Sequence, residues 1–202
     1  GFAVVEEGDV NLTTGEKVNL KISDGNNTKL DFINDNHLRI QKVRDIDEST
    51  NKIVYTLDLW SKECIDNELE KCRVKKRYDG KISNHIENIL KEVLKTPKKL
   101  DIDTTLNNLN VVGSVAKPFY KCTWLGPRSV PDISKSQGNL AGFLFYETYE
   151  GYKFKSIDKL FQQKPKKNYI FNNIIGAVPP GYDGKILEYS FDRTIDFKNS
   201  LL

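Results

Sequence analysis

The side chains that do chemistry in proteins are thinly spread along this chain. Its two histidines, His37 and His85, fall just before an expected strand and in the first turn of an expected helix, so nothing brings them together. Cys64, Cys72 and Cys122 lack the paired spacing of a zinc site. Cys64 and Cys72 lie eight apart on an expected helix, a rise of about 12 Å, more than a disulfide spans. Free thiols and a reducing compartment are the expectation. No G-x-S-x-G elbow offers a serine nucleophile. The stretch GAVPPGYDGK, residues 176–185, has the glycines of a phosphate loop. Tyr182 stands where such a loop needs lysine, however, and Pro179 and Pro180 remove N–H donors. It reads as a turn.

Carboxylates number 28, and a pair working as acid and base stays open, though no cluster stands out. Lys75, Lys76 and Arg77, and the KPKK group at 164–167, could touch phosphates; they are expected on solvated loops and helix ends. Basic residues number 31, so the net charge is only +3, short of the concentrated basic face of a nucleic-acid binder. Asn11 and Asn26 head glycosylation sequons, which carry little weight without a secretion signal. No cofactor or metal ligand set is expected.

The densest feature is aromatic. In GFLFYETYEGYKFKSIDKLFQQKP, Gly142 to Pro165, three Phe and three Tyr fall within the first thirteen residues. A two-residue turn at Glu150-Gly151, with Gly151 supplying positive φ, makes a hairpin of residues 143–157. Phe143, Phe145, Tyr149, Tyr152 and Phe154 then share one face. Leu144, Tyr146, Thr148, Lys153, Lys155 and Ile157 share the other. A single-strand nucleic-acid platform wants exposed aromatics beside positive charge. Here the lysines oppose the aromatics, which is how a hairpin covers a core. Ser156 caps the short helix IDKLFQQ that follows, and Pro165 ends it.

Around this hairpin the remaining elements follow from periodicity. Val18, Leu20 and Ile22 alternate, as do Leu38 with Ile40, and Ile53, Tyr55, Leu57 and Leu59, the pattern of half-buried strands. Asp24-Gly25 marks a turn, and DIDESTNK, residues 45–52, an extended hairpin tip. Several short antiparallel strands suggest a small barrel or sandwich. Helices are expected near 63–73, with Ile65, Leu69 and Cys72 on one stripe, and 83–96. The second has Ile86, Ile89, Leu90, Val93 and Leu94 as its apolar stripe and Asn84 with Glu87 as a capping box. From Lys98 to Pro131 the chain reads as an irregular crossing segment anchored by Phe119, Tyr120 and Trp124. Strands return at KNYIF and ILEYSFDRTIDF, the latter with Leu187, Tyr189, Phe191, Ile195 and Phe197 on one face.

Hydrophobic residues make up 38% and charged residues 29% of the 202, a globular profile, and no apolar run nears the roughly 20 residues of a membrane span. With no Met anywhere, Gly1 is not a translation start, and a fragment of a longer chain is expected. The fold class is α+β, mainly antiparallel β.

The hairpin sequence, FYE followed by EGYKFKSIDKLFQQKP, resembles a stretch of the baseplate central hub proteins of contractile-tailed bacteriophages, the T-even-like group. GEKVNLKISD and LRIQKVRDIDESTNKIVYTLDLWSKE resemble that family's first barrel. KRYDGKISNHIENILKEVL resembles the strand-to-helix passage after it, and KPFYKCTWLGPRSVP the connector before the hairpin. The pieces stand in matching order across most of the chain. The resemblance implies residues 1–62 as a first β-barrel domain, 63–182 as a mixed helix and hairpin domain, and 183–202 as the strand beginning a second barrel. Much of the family's C-terminal half has no counterpart here.

What the resemblance implies is a structural virion protein with no catalytic residues. Such hubs are trimers whose barrels form a pseudo-six-fold ring, and similar hubs occur in type VI secretion spikes. The ring joins the tail tube protein to the central spike protein among other baseplate proteins, and DNA passes through its lumen. Assembly in the host cytoplasm and no membrane insertion are implied as well. Two other readings are a tail-associated cell-wall hydrolase, detectable by zymography, and a nucleic-acid-binding module, whose affinity would fall steeply with salt.

Overall fold

The computed structural model of the chain describes residues 2–5, 12–23, 29–49, 52–132, 142–171 and 176–190. The expected turn at Asp24-Gly25 lies outside these residues, as do Phe191, Ile195 and Phe197 of the expected last strand. The fold is mixed α+β with mostly antiparallel strands. Its chain divides into two compact units, Gly1–Ser156 and Ile157–Leu202, so the boundary falls at the end of the aromatic hairpin.

The first unit opens with β1 (Phe2–Val5), β2 (Lys17–Val18), β3 (Leu20–Ser23), β4 (Lys29–Phe32), β5 (Leu38–Ser49) and β6 (Lys52–Ser61). Strands β1, β6, β5 and β2 make one open four-stranded sheet, and β3 with β4 make a separate antiparallel pair. No closed barrel forms among the described residues. The alternation of Val18, Leu20 and Ile22 is therefore split between two sheets. The polar stretch expected as a long loop is instead strand up to Ser49, because β5 pairs with β6 as far as Ser49↔Lys52. Two irregularities, at Ile40/Lys42 and Arg44/Asp47, absorb the mismatch, and Asp45 takes a positive φ there, as bulged strands do.

Helix α1 (Lys62–Glu68) follows directly, capped by the Ser61 hydroxyl. It is shorter than the expected 63–73: Leu69 is already extended, and Glu70–Cys72 is a separate 3-10 turn. Its buried residues are Glu63 and Asn67, not the apolar stripe. Next come β7 (Arg77–Tyr78) and α2 (Ile82–Asn88), which continues as a π turn over Ile89–Val93. Ile82, Ile86, Ile89, Leu90 and Leu94 are buried. The expected capping box is absent, since Asn84 already lies inside the helix. The Ser83 N–H instead donates to the Thr105 hydroxyl at 3.1 Å.

The segment expected to be irregular contains β8 (Lys99–Ile102), β9 (Val111–Val112) and α3 (Pro118–Leu125). Pro118 occupies the first turn, where a missing N–H costs nothing. Pro118, Lys121, Cys122 and Leu125 are the buried residues, a helical stripe hidden from a sequence reading by the lysine in it. Its cap also comes from afar, the Phe119 N–H donating to Asn67 Oδ1 at 2.8 Å. Finally β10 (Phe143–Thr148) and β11 (Gly151–Ser156) pair antiparallel, and β8 adds to β11 in parallel. This three-stranded sheet packs on α2 and α3, and all fully buried members of the main hydrophobic core lie between Val74 and Phe154. Here burying each large side chain contributes roughly 1.5–3 kcal/mol.

The second unit holds α4 (Ile157–Phe161) and the parallel pair β12 (Tyr169–Phe171) and β13 (Gly184–Ile186). Asn168 and Asp183 close the connection: Asn168 N–H donates to Asp183 Oδ2 at 2.8 Å and Asp183 N–H to Asn168 O at 2.7 Å. Among the described residues the last strand is Gly184–Ile186, and residues 187–190 of the expected ILEYSFDRTIDF are not strand. Tyr189 beyond it sets its ring edge-on to Phe171, 4.8 Å between centroids.

Candidate functional site

The hairpin turn falls one residue earlier than expected. Thr148 pairs with Gly151, so Tyr149 and Glu150 form the turn and Gly151 begins the second strand. Gly151 has φ +136°, and a Cβ there would lie 2.1 Å from the Lys99 carbonyl oxygen. Glycine is required both for the backbone conformation and for the approach of β8.

The shift takes Tyr149 off the core face. Phe143, Tyr152 and Phe154 are buried, and Phe145 is partly buried against them. Phe143 stacks on Phe154 at 4.7 Å, and Phe145 on Tyr152 at 5.9 Å. Tyr149, expected on this face, leaves the core and is 42% exposed. It reaches β4, where Phe32 meets it edge-on at 5.5 Å and its hydroxyl accepts the Asp31 N–H at 3.2 Å. Glu147 takes the core-face position opposite Tyr152. Phe119 places its ring 5.7 Å from both Phe145 and Tyr152. Trp124 is held from the connector by cations, Arg128 at 3.7 Å and Lys121 at 4.5 Å from its ring, an attraction to the electron-rich face.

A buried carboxylate needs a partner, and Glu63, fully buried, shares one with Glu147. Lys98 Nζ lies 2.6 Å from Glu147 Oε1 and 3.0 Å from Glu63 Oε2. The Thr96 hydroxyl donates to Glu63 Oε1 at 2.7 Å and the Ser61 hydroxyl to Glu147 Oε2 at 3.1 Å. Burial works against the Lys98 charge, but the hydrogen bond and charge of Glu147, then those of Glu63, outweigh it and hold its pKa above the ordinary lysine value. Burial, reinforced by the Glu147 and Glu63 charges, pushes the Tyr152 phenol well up. This network floors a cleft of about 360 Å³ between the end of the first sheet and the hairpin turn, walled by Phe32, Trp60 and Tyr149.

The chemistry open to this cluster is restricted. An acid and base pair needs one carboxyl set apart from the other. Here one ammonium bridges both carboxylates, and each has its second oxygen held by a hydroxyl. Cys64 lines the same cleft, but burial first, then Glu147 and Glu68, raise its pKa, which keeps the thiol from the nucleophilic thiolate form. The three cysteines are free. The histidines serve separate segments: His37 Nδ1 lies 2.5 Å from Asn34 O, and His85 Nε2 2.7 Å from Leu109 O. Among the described residues no group of three or more His, Cys, Asp or Glu could hold a metal ion, and no helix is long and apolar enough to cross a membrane.

Sequence reasoning missed Glu63, Lys98 and Glu147 because they come from three distant segments. One signal was available. Period two along the first hairpin strand puts Glu147 on the face of Phe143 and Phe145, a charge beside the aromatic run. Comparisons with protein-family models, with curated proteins and with solved structures find no match for the chain.

Proposed function

We propose that this chain is a structural assembly subunit, the hub of a contractile-tailed phage baseplate. It works as a homotrimer that joins the tail tube to the central spike in the virion and surrounds the passage of DNA. The carrying observation is the apolar side chains that the first two sheets leave exposed. Across β3 and β4, Ile22 sits directly opposite Leu30, and both are exposed, Ile22 at 48%. Ile46 on β5 is 66% exposed and Trp60 on β6 is exposed too. Among the described residues of the strands before α1, the buried hydrophobics are Ile40 and Tyr55. Apolar strand faces in the open mark interaction surfaces, and open edges invite pairing with another chain. A neighbouring subunit would complete the sheet as a barrel wall, in keeping with the family the sequence resembles.

The aromatic hairpin belongs to the rigid part in this reading. The Lys98 network fixes it to α1, so the sheet that meets neighbours is held firmly by the core. The test is the native mass of the uncut protein over a range of concentrations, alone and with its spike protein. Three subunits, or a shift to three when spike is added, is the expected result. One subunit under every condition, with no affinity for the spike, overturns the proposal.

A further inference from the structure

A second cleft, about 640 Å³, lies between α1, the 3-10 turn after it and the end of the π turn. Six cations line it, Lys62, Lys71, Arg73, Lys75, Lys76 and Lys95, against two carboxylates, Asp66 and Glu92. The whole chain carries only +3, so its positive excess is concentrated here. Both carboxylates are already occupied, Asp66 by Lys62 at 2.8 Å and Glu92 by Lys76 at 2.7 Å. Arg73 donates to the Asn67 and Glu68 carbonyls at 2.8 and 3.1 Å, and its charge also acts on the Glu68 carboxylate, which Lys117 already holds. Among the described residues Lys71, Lys75 and Lys95 have no hydrogen-bond or ion-pair partner.

Two further features point to a ligand. Lys95 adopts φ +50°, immediately after the π turn, where the Thr96 N–H reaches back to the Leu90 carbonyl at 3.2 Å. That left-handed position after a helix is the one glycine fills most easily. A strained residue and a π turn side by side are typical of binding sites. The second feature is Tyr78, a 6% exposed lining residue of the cleft whose buried hydroxyl has no hydrogen-bond partner among the described residues. A buried hydroxyl without a partner is costly unless something completes it. Burial first, then the Glu92 charge, raises its pKa, so the phenol keeps its proton to donate.

We propose that this cleft binds a small molecule carrying two or more phosphate groups. The ammoniums of Lys71, Lys75 and Lys95 hold the phosphates, the Tyr78 hydroxyl donates to one oxygen, and Cys72, Val93 and Leu94 wall the uncharged part. The volume is that of a small-ligand pocket. The aromatic ring here is sunk in the core, not presented for stacking as single-strand binding needs.

The experiment is titration calorimetry of the full chain with inorganic tripolyphosphate at low salt. The key variant is Lys95→Gly, which removes the ammonium while easing the backbone. It is expected to raise the melting temperature and to weaken binding roughly three- to tenfold. Lys71→Gln with Lys75→Gln is expected to weaken binding at least as much, and Tyr78→Phe to weaken it without loss of fold. Lys166→Gln with Lys167→Gln, on the other unit, should leave it unchanged. No binding by the folded protein overturns the proposal, as does an affinity equal to the parent's in both the Lys95→Gly and the double-lysine variants. Sulfate binding as tightly as tripolyphosphate overturns the polyphosphate assignment. A single-stranded oligonucleotide preferred at equal phosphate concentration overturns it in favour of nucleic acid.

Discussion

Lys98 and Glu63 meet at 3.0 Å in the interior, with Glu63 fully buried and the Lys98 side chain 8% exposed. The pair joins the start of α1 to the segment entering β8, and Glu147 extends it to the hairpin. Two charges out of water are costly, and their attraction offsets that cost only while both are present.

Removing one partner should therefore hurt more than removing both. Lys98→Met is expected to destabilise by about 3–5 kcal/mol, read as a lowered urea midpoint. Adding Glu63→Gln to it should recover much of the loss. If the double variant is as unstable as the sum of the singles, the two residues do not act as a pair. The Lys98 pKa is raised in the fold, so its contribution is full below the ordinary lysine value of 10.5. It is lost as pH climbs through the higher folded value, and the alkaline limb of the stability profile should be shallower in Lys98→Met.

At the acid end the sign reverses. The Asp101 pKa is lowered, first by its hydrogen bond with Lys155, with burial opposing and the Lys155 and Lys153 charges adding. Its contribution is present above the ordinary value of 3.8 and disappears as pH falls through the lower folded value. Urea midpoints of Asp101→Asn should drop less than those of the parent between about pH 6 and pH 2.5. Parallel curves would show that Asp101 titrates alike in both states.

Gly151→Ala tests the close approach at the hairpin. A methyl there meets the Lys99 carbonyl at 2.1 Å in a backbone conformation with φ +136°. We expect a loss of at least about 2 kcal/mol, with β8 dislodged from β11. Faster amide exchange along 99–102 would report that directly. Unchanged stability would mean the two strands have room to part.

The distant caps can be tested at Thr105. Thr105→Val keeps shape but leaves the buried Ser83 N–H without its acceptor, at a cost of about 1–3 kcal/mol. Thr105→Ser retains the hydroxyl and should cost less. Equal losses in the two variants would assign the effect to packing rather than to the cap.

The uncovered strand face gives the last prediction. Ile46→Asp changes an exposed side chain, so monomer stability should move by no more than about 0.5 kcal/mol. Subunit association should fall sharply, as measured by sedimentation. Association that survives this change together with Ile22→Asp would place the interface elsewhere.

Local pattern carried a good deal of this fold. The period of two in residues 53–59 found β6, and the apolar stripe from Ile86 to Leu94 found α2 because its buried residues lie on one side of the helix. The aromatic run found β10 and β11, and the glycine found a position that excludes a Cβ. Helix α3 escaped because Lys121 sits in its buried stripe, its charge turned to the Trp124 ring and its Nζ donating to the Val112 carbonyl at 3.0 Å. The capping box at Asn84 was a false match, since Thr105 caps α2 from another segment.

By itself, then, the sequence determined which stretches alternate, which coil and which bury aromatic surface, because those properties depend on near neighbours. Tertiary structure alone decided the turn register that sends Tyr149 out of the core face. It also decided the meeting of Lys98 with two carboxylates and the gathering of six cations in one cleft. Those arrangements join residues far apart in the chain. Charge pairing and burial act across space, and no spacing along the chain encodes them.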